Sequence, residues 1–350
     1  MAGPRVLQAI GGSGRGGAEL QFVRLAKALA RAGLVQRLLV RPDAERTAAL
    51  RADGIAPVEL PFGGGFDFRT GRGFRREVER FDPDVVLTWM NRATDHSRAR
   101  RRRYVHAARL GGYYELRYYR HCDHLIANTA DIADYIRRGG WPGERVHVLP
   151  NFVHAERRPA VPREAFRTPS DAPLLLALGR LHPNKGFDVL LAAMAELPGA
   201  WLWLAGSGPL EAELKRQAAR RGVADRVRFL GWRDDFPALA AAADLIVVPS
   251  RHEPVGNVVL EAWAQRKPLV AAAALGPAAL IRTEESGLLV PVEDAGALAA
   301  AVRRVIDDSD LAARLVEGGW AAFQADFTEA KSVARYLELF ERLADSRCGS

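Results

Sequence analysis

Two glutamates, Glu253 and Glu261, stand with seven residues between them in the stretch Ser250–Arg266. The apolar run Leu245–Pro249 precedes them and reads as a buried strand, and a helix is expected from about Gly256 to Gln265. The backbone amides of Gly256, Asn257 and Val258 would be open donors of its first turn. Such a terminus attracts phosphate, because the amides and the positive end of the helix dipole point the same way. Gly256 carries no Cβ to hold a ligand off the backbone. Carboxylates beside an anion site repel phosphate, yet each can accept two hydrogen bonds from a vicinal diol. The pattern therefore suits a sugar–diphosphate–nucleoside, with one glutamate for each sugar. The plainer reading is that Glu261 is a solvated helix residue and Glu253 a charge favouring a helix start.

A second constellation precedes it. Arg180 and Lys185 lie five apart on the loop Gly179–Gly186, which leads into a helix expected over Phe187–Ala195. Two fixed cations there would neutralise a departing diphosphate. No Asp-x-Asp metal clamp stands in a suitable loop, and Asp234-Asp235 and Asp307–Asp310 read as surface charges, so no metal is assigned. At the N-terminus, Gly12, Gly14 and Gly17 satisfy the dinucleotide fingerprint G-x-G-x-x-G between a strand and a helix. A dinucleotide site would want an acidic residue ending the next strand, where Arg41 stands instead. NAD fits poorly and NADP stays open.

These segments together resemble the retaining glycosyltransferases of family 4, an α/β architecture of two Rossmann-like domains facing across a cleft (GT-B). The likeness implies that Glu261 holds the nucleotide ribose and Glu253 the transferred sugar. Gly179-Arg180 with Lys185-Gly186 resembles the family's G-R-x4-K-G element, and Gly206-Ser-Gly-Pro209 its G-x-G-P turn. Val227–Trp232, with Gly231, resembles the segment lining the base, and Gly16-Gly17-Ala-Glu19 the N-terminal glycine loop that faces the donor diphosphate. The likeness further implies a UDP- or GDP-linked sugar donor, no additional cofactor, a glycan or glycolipid acceptor bound in the first domain, and same-face displacement without a metal. The pattern departs at Gly276-Pro277, where Ala278 and Ala279 replace the family's second glycine and Glu. His106 is the nearest candidate for the histidine that relatives carry in the first domain, but it falls inside a strand.

The elements that must position these residues alternate between strand and helix. Strands are expected over 5–10, 36–40, 57–61, 84–89, 146–149, 174–178, 201–205, 245–249 and 268–274, with helices over 18–32, 74–81, 187–195, 256–265, 295–306 and 311–318. The residues His121–Thr129 read as a strand and a helix cap. The domain reading is an acceptor-side domain over 1–155, a Pro- and charge-rich linker over 156–173, a nucleotide-sugar domain over 174–325, and a final helix over 326–346 that crosses back to the first domain.

A chain of 350 residues with 48% hydrophobic and 26% charged residues is ordinary for two soluble domains. No apolar run approaches the roughly 20 residues that span a bilayer. Two cysteines, Cys122 and Cys348, make no disulfide framework, and His121 and His124 lack a third ligand spaced for a metal. A cytoplasmic location is the default. The net charge of +8 favours anionic partners. Its densest part is Ser97–Arg103, where Arg98 and Arg100–Arg103 would meet an anionic membrane surface, with tyrosines at 104, 113, 114, 118 and 119 nearby. That adds an expected peripheral attachment at the inner face of the plasma membrane. No motif for nucleic acid accompanies it. The reading is a hexosyltransferase of bacterial cell-surface polysaccharide or lipopolysaccharide synthesis. Two rivals stand beside it, an NADP-dependent oxidoreductase and a catalytically silent basic protein binding nucleic acid or membrane.

Overall fold

The structure is a computed structural model describing residues 3–14, 16–64, 67–98 and 103–348. Arg100, Arg101 and Arg102 of the basic run lie outside the described residues. The chain divides into two compact units, Met1–Phe152 with Glu329–Ser350, and Val153–Thr328.

The first unit is built on β1 (Val6–Ile10), α1 (Gly17–Arg31), β2 (Gln36–Val40), α2 (Ala44–Arg51), β3 (Val58–Glu59), α3 (Phe68–Phe81), β4 (Val85–Trp89), α4 (Met90–His96), β5 (Val105–Leu110), β6 (His124–Ala127), α5 (Ala130–Arg138) and β7 (Val146–Val148). Its seven strands are ordered β3-β2-β1-β4-β5-β6-β7, every pairing parallel. The central strands VLQAI and VVLTW are buried along their whole length, as a parallel sheet covered on both faces requires.

The second unit repeats the pattern with β8 (Leu174–Leu178), α6 (Phe187–Ala195), β9 (Trp201–Ala205), α7 (Glu211–Arg220), β10 (Val227–Gly231), α8 (Phe236–Ala242), β11 (Leu245–Val248), α9 (Asn257–Ala264), β12 (Leu269–Ala272), α10 (Leu275–Leu280), β13 (Leu288–Val290), α11 (Ala295–Asp307) and α12 (Ser309–Asp326). Its parallel sheet runs β10-β9-β8-β11-β12-β13. The strand order reverses between β1 and β4 in one unit and between β8 and β11 in the other. Loops leaving the two sides of such a reversal diverge, which opens a crevice at the carboxyl ends of the strands.

The last helix, α13 (Glu329–Cys348), belongs to the first unit. Tyr336, Leu339, Phe340 and Leu343 recur at helical spacing and enter the core formed by Phe22, Leu25, Leu29 and Trp89. Buried Arg109 of β5 fastens it there, donating to the Tyr336 hydroxyl at 2.7 Å and to Asn151 Oδ1 at 2.6 Å, with its guanidinium 4.5 Å from the Trp89 ring. Among the described residues no helix is long and apolar enough to cross a membrane.

Three local expectations are revised. Helix α3 starts at Phe68, six residues before the expected Phe74, because Asp67 caps it by accepting from Thr70 N at 3.0 Å. Gly71 and Gly73 lower the helix propensity of that first turn and hide it. Helix α4 follows β4 with no connecting loop and was not expected. The stretch 156–173, expected as a linker, is packed onto the second unit. Phe166 stands edge-on to Trp203 at 4.9 Å, and Arg163 donates to the Ala242 carbonyl and to Asp244. Its apolar residues have no period because they pack one at a time rather than along a helix or strand face.

Candidate active site

The loops after β8, β9, β10 and β11 leave the same edge of the second sheet and are laced by their own backbones. Gly179 N donates to Ala205 O at 3.0 Å, Leu181 N to Ser207 O at 2.9 Å, and Gly206 N to Gly231 O at 2.7 Å. Across the reversal, Arg251 N and His252 N both donate to Asn184 O, at 2.8 and 3.1 Å. The Arg180–Lys185 loop is thereby sewn to the Glu253 loop.

This stitching joins Lys185 and Glu253, 68 residues apart, in an ion pair between Nζ and Oε2. The other carboxylate oxygen accepts from Gly256 N at 3.2 Å, at the start of α9. Glu253 is buried, and a buried carboxylate held this way needs both partners. Gly256 is the N-cap of α9 with φ +77°, a backbone conformation a side chain would strain, and no side chain caps the helix after it. Gly276, at the start of α10, supports the same loop from outside. Its amide donates to Glu253 O at 2.7 Å, and a Cβ there would come within 2.6 Å of that oxygen and 2.7 Å of Gly256 N. The departure from the family pattern at Gly276-Pro277 thus retains the one glycine the packing demands.

Arg251 was not singled out from the sequence, yet it sets the spacing of the cradle. Its fork grips Asp188 at 2.7 and 2.6 Å, its Nε meets Glu293 at 2.5 Å, and its NH1 donates to Pro183 O at 3.0 Å. That hydrogen-bonded pairing holds the Asp188 carboxyl below the usual carboxylate range. Asp188 in turn sits in the first turn of α6, where negative charge is favoured. A bidentate clamp at that point fixes the loop carrying Lys185 against the loop carrying Glu253. The only hint in the sequence was an Arg two residues before Glu253.

The remaining expected residues fall as follows. Arg180 is exposed, with no hydrogen bond or ion pair among the described residues. Glu261 is half-buried on the second turn of α9, beyond Asn257 and Val258 of the first turn. Gly16 and Gly17 lie in the first unit, as the N-cap and first residue of α1. There the Glu19 carboxylate folds back against Gly12 and Gly16, so close that a Cβ on either would overlap it. A dinucleotide pyrophosphate would need that position at the helix terminus, and a carboxylate repels it. The glycine fingerprint therefore does not serve an NADP site.

His106 is fully buried in β5, with Nε2 3.0 Å from Thr88 Oγ1 and 3.3 Å from Ser97 Oγ. His124 pairs with His147 at 3.1 Å rather than with His121. A third ligand-bearing residue does join His121, contrary to the sequence reading. His106, His121 and Cys122 offer ligand atoms within 4.8 Å of one another, brought together by the β5–β6 pairing. His106 Nε2 and His121 Nε2 already face hydroxyl and carbonyl oxygens, so the group is built as a hydrogen-bonded core cluster.

A family model described as glycosyl transferases group 1 matches residues 162–320, and one described as glycosyltransferase family 4 matches residues 15–157. The chain is 36% identical over 331 residues to the lipopolysaccharide core biosynthesis glycosyltransferase LpsE of Rhizobium meliloti (strain 1021), covering 93% of this chain and 95% of that one. It is also 36% identical over 334 residues to LpsD of the same organism, with the same coverage. Among solved structures, Anabaena Alr3699/HepE in complex with UDP and glucose superposes with a TM-score of 0.82 at 23% identity, over 96% of this chain and 99% of that one. WaaG, a glycosyltransferase involved in lipopolysaccharide biosynthesis, does so at 0.72 and 20% identity, over 96% and 99%. At these identities the structures establish the fold alone.

Proposed function

Because this chain belongs to the group 1 glycosyltransferases, with the two Rossmann-like domains of the GT-B fold, we propose that it moves a hexose from a UDP- or GDP-linked donor to a glycan or glycolipid acceptor, with retention of configuration. The names of its relatives support a role in lipopolysaccharide core synthesis. The observation that carries the donor reading is the Lys185–Glu253 pair at the uncapped start of α9, on the reversal of the second sheet.

In this reading Glu253 neutralises Lys185 and the helix terminus until the donor arrives. The diphosphate then takes over the charge of Lys185, with Arg180 and the amides of Gly256, Asn257 and Val258 adding to it. Glu253 is left to accept hydroxyls of the transferred sugar, while Glu261 grips the ribose. The leaving phosphate takes the acceptor proton on the same face, so no separate base is required and no metal is assigned a role. Gly179, Gly206 and Gly231 keep the loops low enough for the nucleotide to lie along them. The enzyme works in the cytoplasm, peripherally attached to anionic lipid through Arg98–Arg103.

Thermal shift and donor hydrolysis across a panel of nucleotide sugars, without acceptor, test the assignment. One UDP or GDP sugar should raise the melting temperature and be slowly hydrolysed, and NMR of the product formed with an acceptor should show the donor's anomeric configuration. No response to any nucleoside diphosphate or its sugars would remove the donor reading.

A further inference from the structure

Between Arg180 and Lys185, on the loop after β8, stands His182. Its neighbour Leu181 is buried in the core of the second unit. Leu181 is held by its backbone as well, its amide donating to Ser207 O at 2.9 Å and its carbonyl accepting from Leu210 N at 3.1 Å. Gly208 packs so close that a Cβ there would stand 2.5 Å from the Leu181 carbonyl oxygen. The backbone at His182 is extended, with φ −139° and ψ 151°. Side chains alternate along extended backbone, so with Leu181 turned into the core, Arg180 and His182 turn away from it together. Burial follows the same alternation, for Arg180 is exposed and His182 half-buried.

The protonation of the His182 ring follows from its place as a cap. It opens the short helical turn Pro183–Lys185, and its Nδ1 accepts from Asn184 N at 3.3 Å. A ring nitrogen that accepts carries no proton, so the neutral ring bears its hydrogen on Nε2. Among the described residues that Nε2 has no hydrogen-bond partner. The turn itself is fixed across the reversal of strand order, because Asn184 O accepts from Arg251 N and His252 N. His182 therefore presents one N–H, oriented in advance by its cap, on the outward side of the loop that also holds Arg180 and the Lys185 paired with Glu253.

We propose that His182 is a further binding residue of this site, donating from Nε2 to a phosphate oxygen of the nucleotide sugar. Arg180 and Lys185 supply charge to the leaving diphosphate. The neutral imidazole adds a directed hydrogen bond beside them, already in place before charge develops. The identity of the ligand rests on the transferase reading, whereas the orientation and tautomer of the ring do not.

Two substitutions separate the two ring nitrogens. In His182→Asn the side-chain oxygen stands near the place of Nδ1 and can cap the turn, but nothing reaches the place of Nε2. In His182→Gln an amide N–H reaches the place of Nε2, but the cap is lost. Calorimetry of the full chain with UDP, GDP and pyrophosphate, beside melting curves, tests the assignment. His182→Asn should melt with wild type and bind the diphosphate about tenfold more weakly. His182→Gln should melt earlier and keep most of the affinity. Long-range proton–nitrogen NMR spectra of the free protein should show the Nε2–H tautomer for the ring whose signal His182→Asn removes, and the diphosphate should shift that signal. Wild-type affinity in His182→Asn, weaker binding in His182→Gln than in His182→Asn, or an Nδ1–H ring overturns the proposal, and leaves the donor reading standing where wild type binds UDP or GDP. Pyrophosphate bound without either nucleotide would sink that reading and keep this contact, and binding of none of the three by wild type would remove both.

Discussion

At the scale of single residues, the two glutamates are distinguished by their surroundings. Glu253 is bound to Lys185 and to the start of α9, whereas Glu261 lies a turn further along the helix, half-buried. Glu261→Ala should weaken the free nucleoside diphosphate by roughly ten- to a hundredfold, the loss of a charge-assisted pair of hydrogen bonds to the ribose. Glu253→Ala should cut transfer severely yet leave diphosphate binding unchanged or tighter, because it releases Lys185 from its ion pair. Titration calorimetry with the diphosphate alone decides the matter, and weaker binding in Glu253→Ala than in Glu261→Ala would reverse the roles. Arg180→Ala and Lys185→Ala should each lower turnover by about a hundredfold, the cost of removing one preorganised stabiliser of leaving-group charge. Wild-type turnover in both would exclude a diphosphate there.

At the scale of elements, the strand pair β6 and β7 carries a titrating contact. His124 and His147 face each other at 3.1 Å, and both pKa values are lowered, chiefly by burial. That of His147 falls to about 4, with the His124 and Arg342 charges contributing. Around His124, Asp123 and Glu144 act in the opposite direction, while Arg145 and Arg342 reinforce the fall. The unfolded rings charge near pH 6.5, so between that pH and about 4 the unfolded chain binds more protons than the folded one. Stability should therefore be full above pH 6.5 and decline as the pH falls through that window. Melting curves at descending pH should show the decline, and His147→Asn should flatten it. An identical slope in that variant would place the sensitivity elsewhere.

At the scale of the whole molecule, α13 completes the core of the first unit although it is last in the chain. Leu339→Ala should cost about 2–5 kcal/mol and Phe340→Ala about 3–5 kcal/mol, since both are buried there. Denaturant unfolding followed by the fluorescence of Trp89, which shares that core, would register the loss, and an unchanged midpoint would contradict the packing. The surplus of eight positive charges acts at the same scale. Association with vesicles containing anionic lipid should fall with added salt and with replacement of Arg98 and Arg100–Arg103 by Ser. Equal partitioning to neutral and anionic vesicles would remove the membrane contact.

Local pattern was enough for much of this molecule. The bounds of β2, β8, α6 and β9 follow directly from apolar runs, period and flanking glycines, because burial on both faces of a parallel strand writes itself into adjacent residues. Lys185, Glu253 and Gly256 were equally open to view as candidates, since charges and glycines stand together there in loops that lead into helices. Their relation to one another was not. That Lys185 meets Glu253, that Arg251 clamps Asp188, and that Gly276 must lack a Cβ all depend on loops brought side by side by the strand order. Sequence spacing reports contacts along one element, whereas a site at the edge of a parallel sheet is assembled from residues that only the closure of the core makes neighbours.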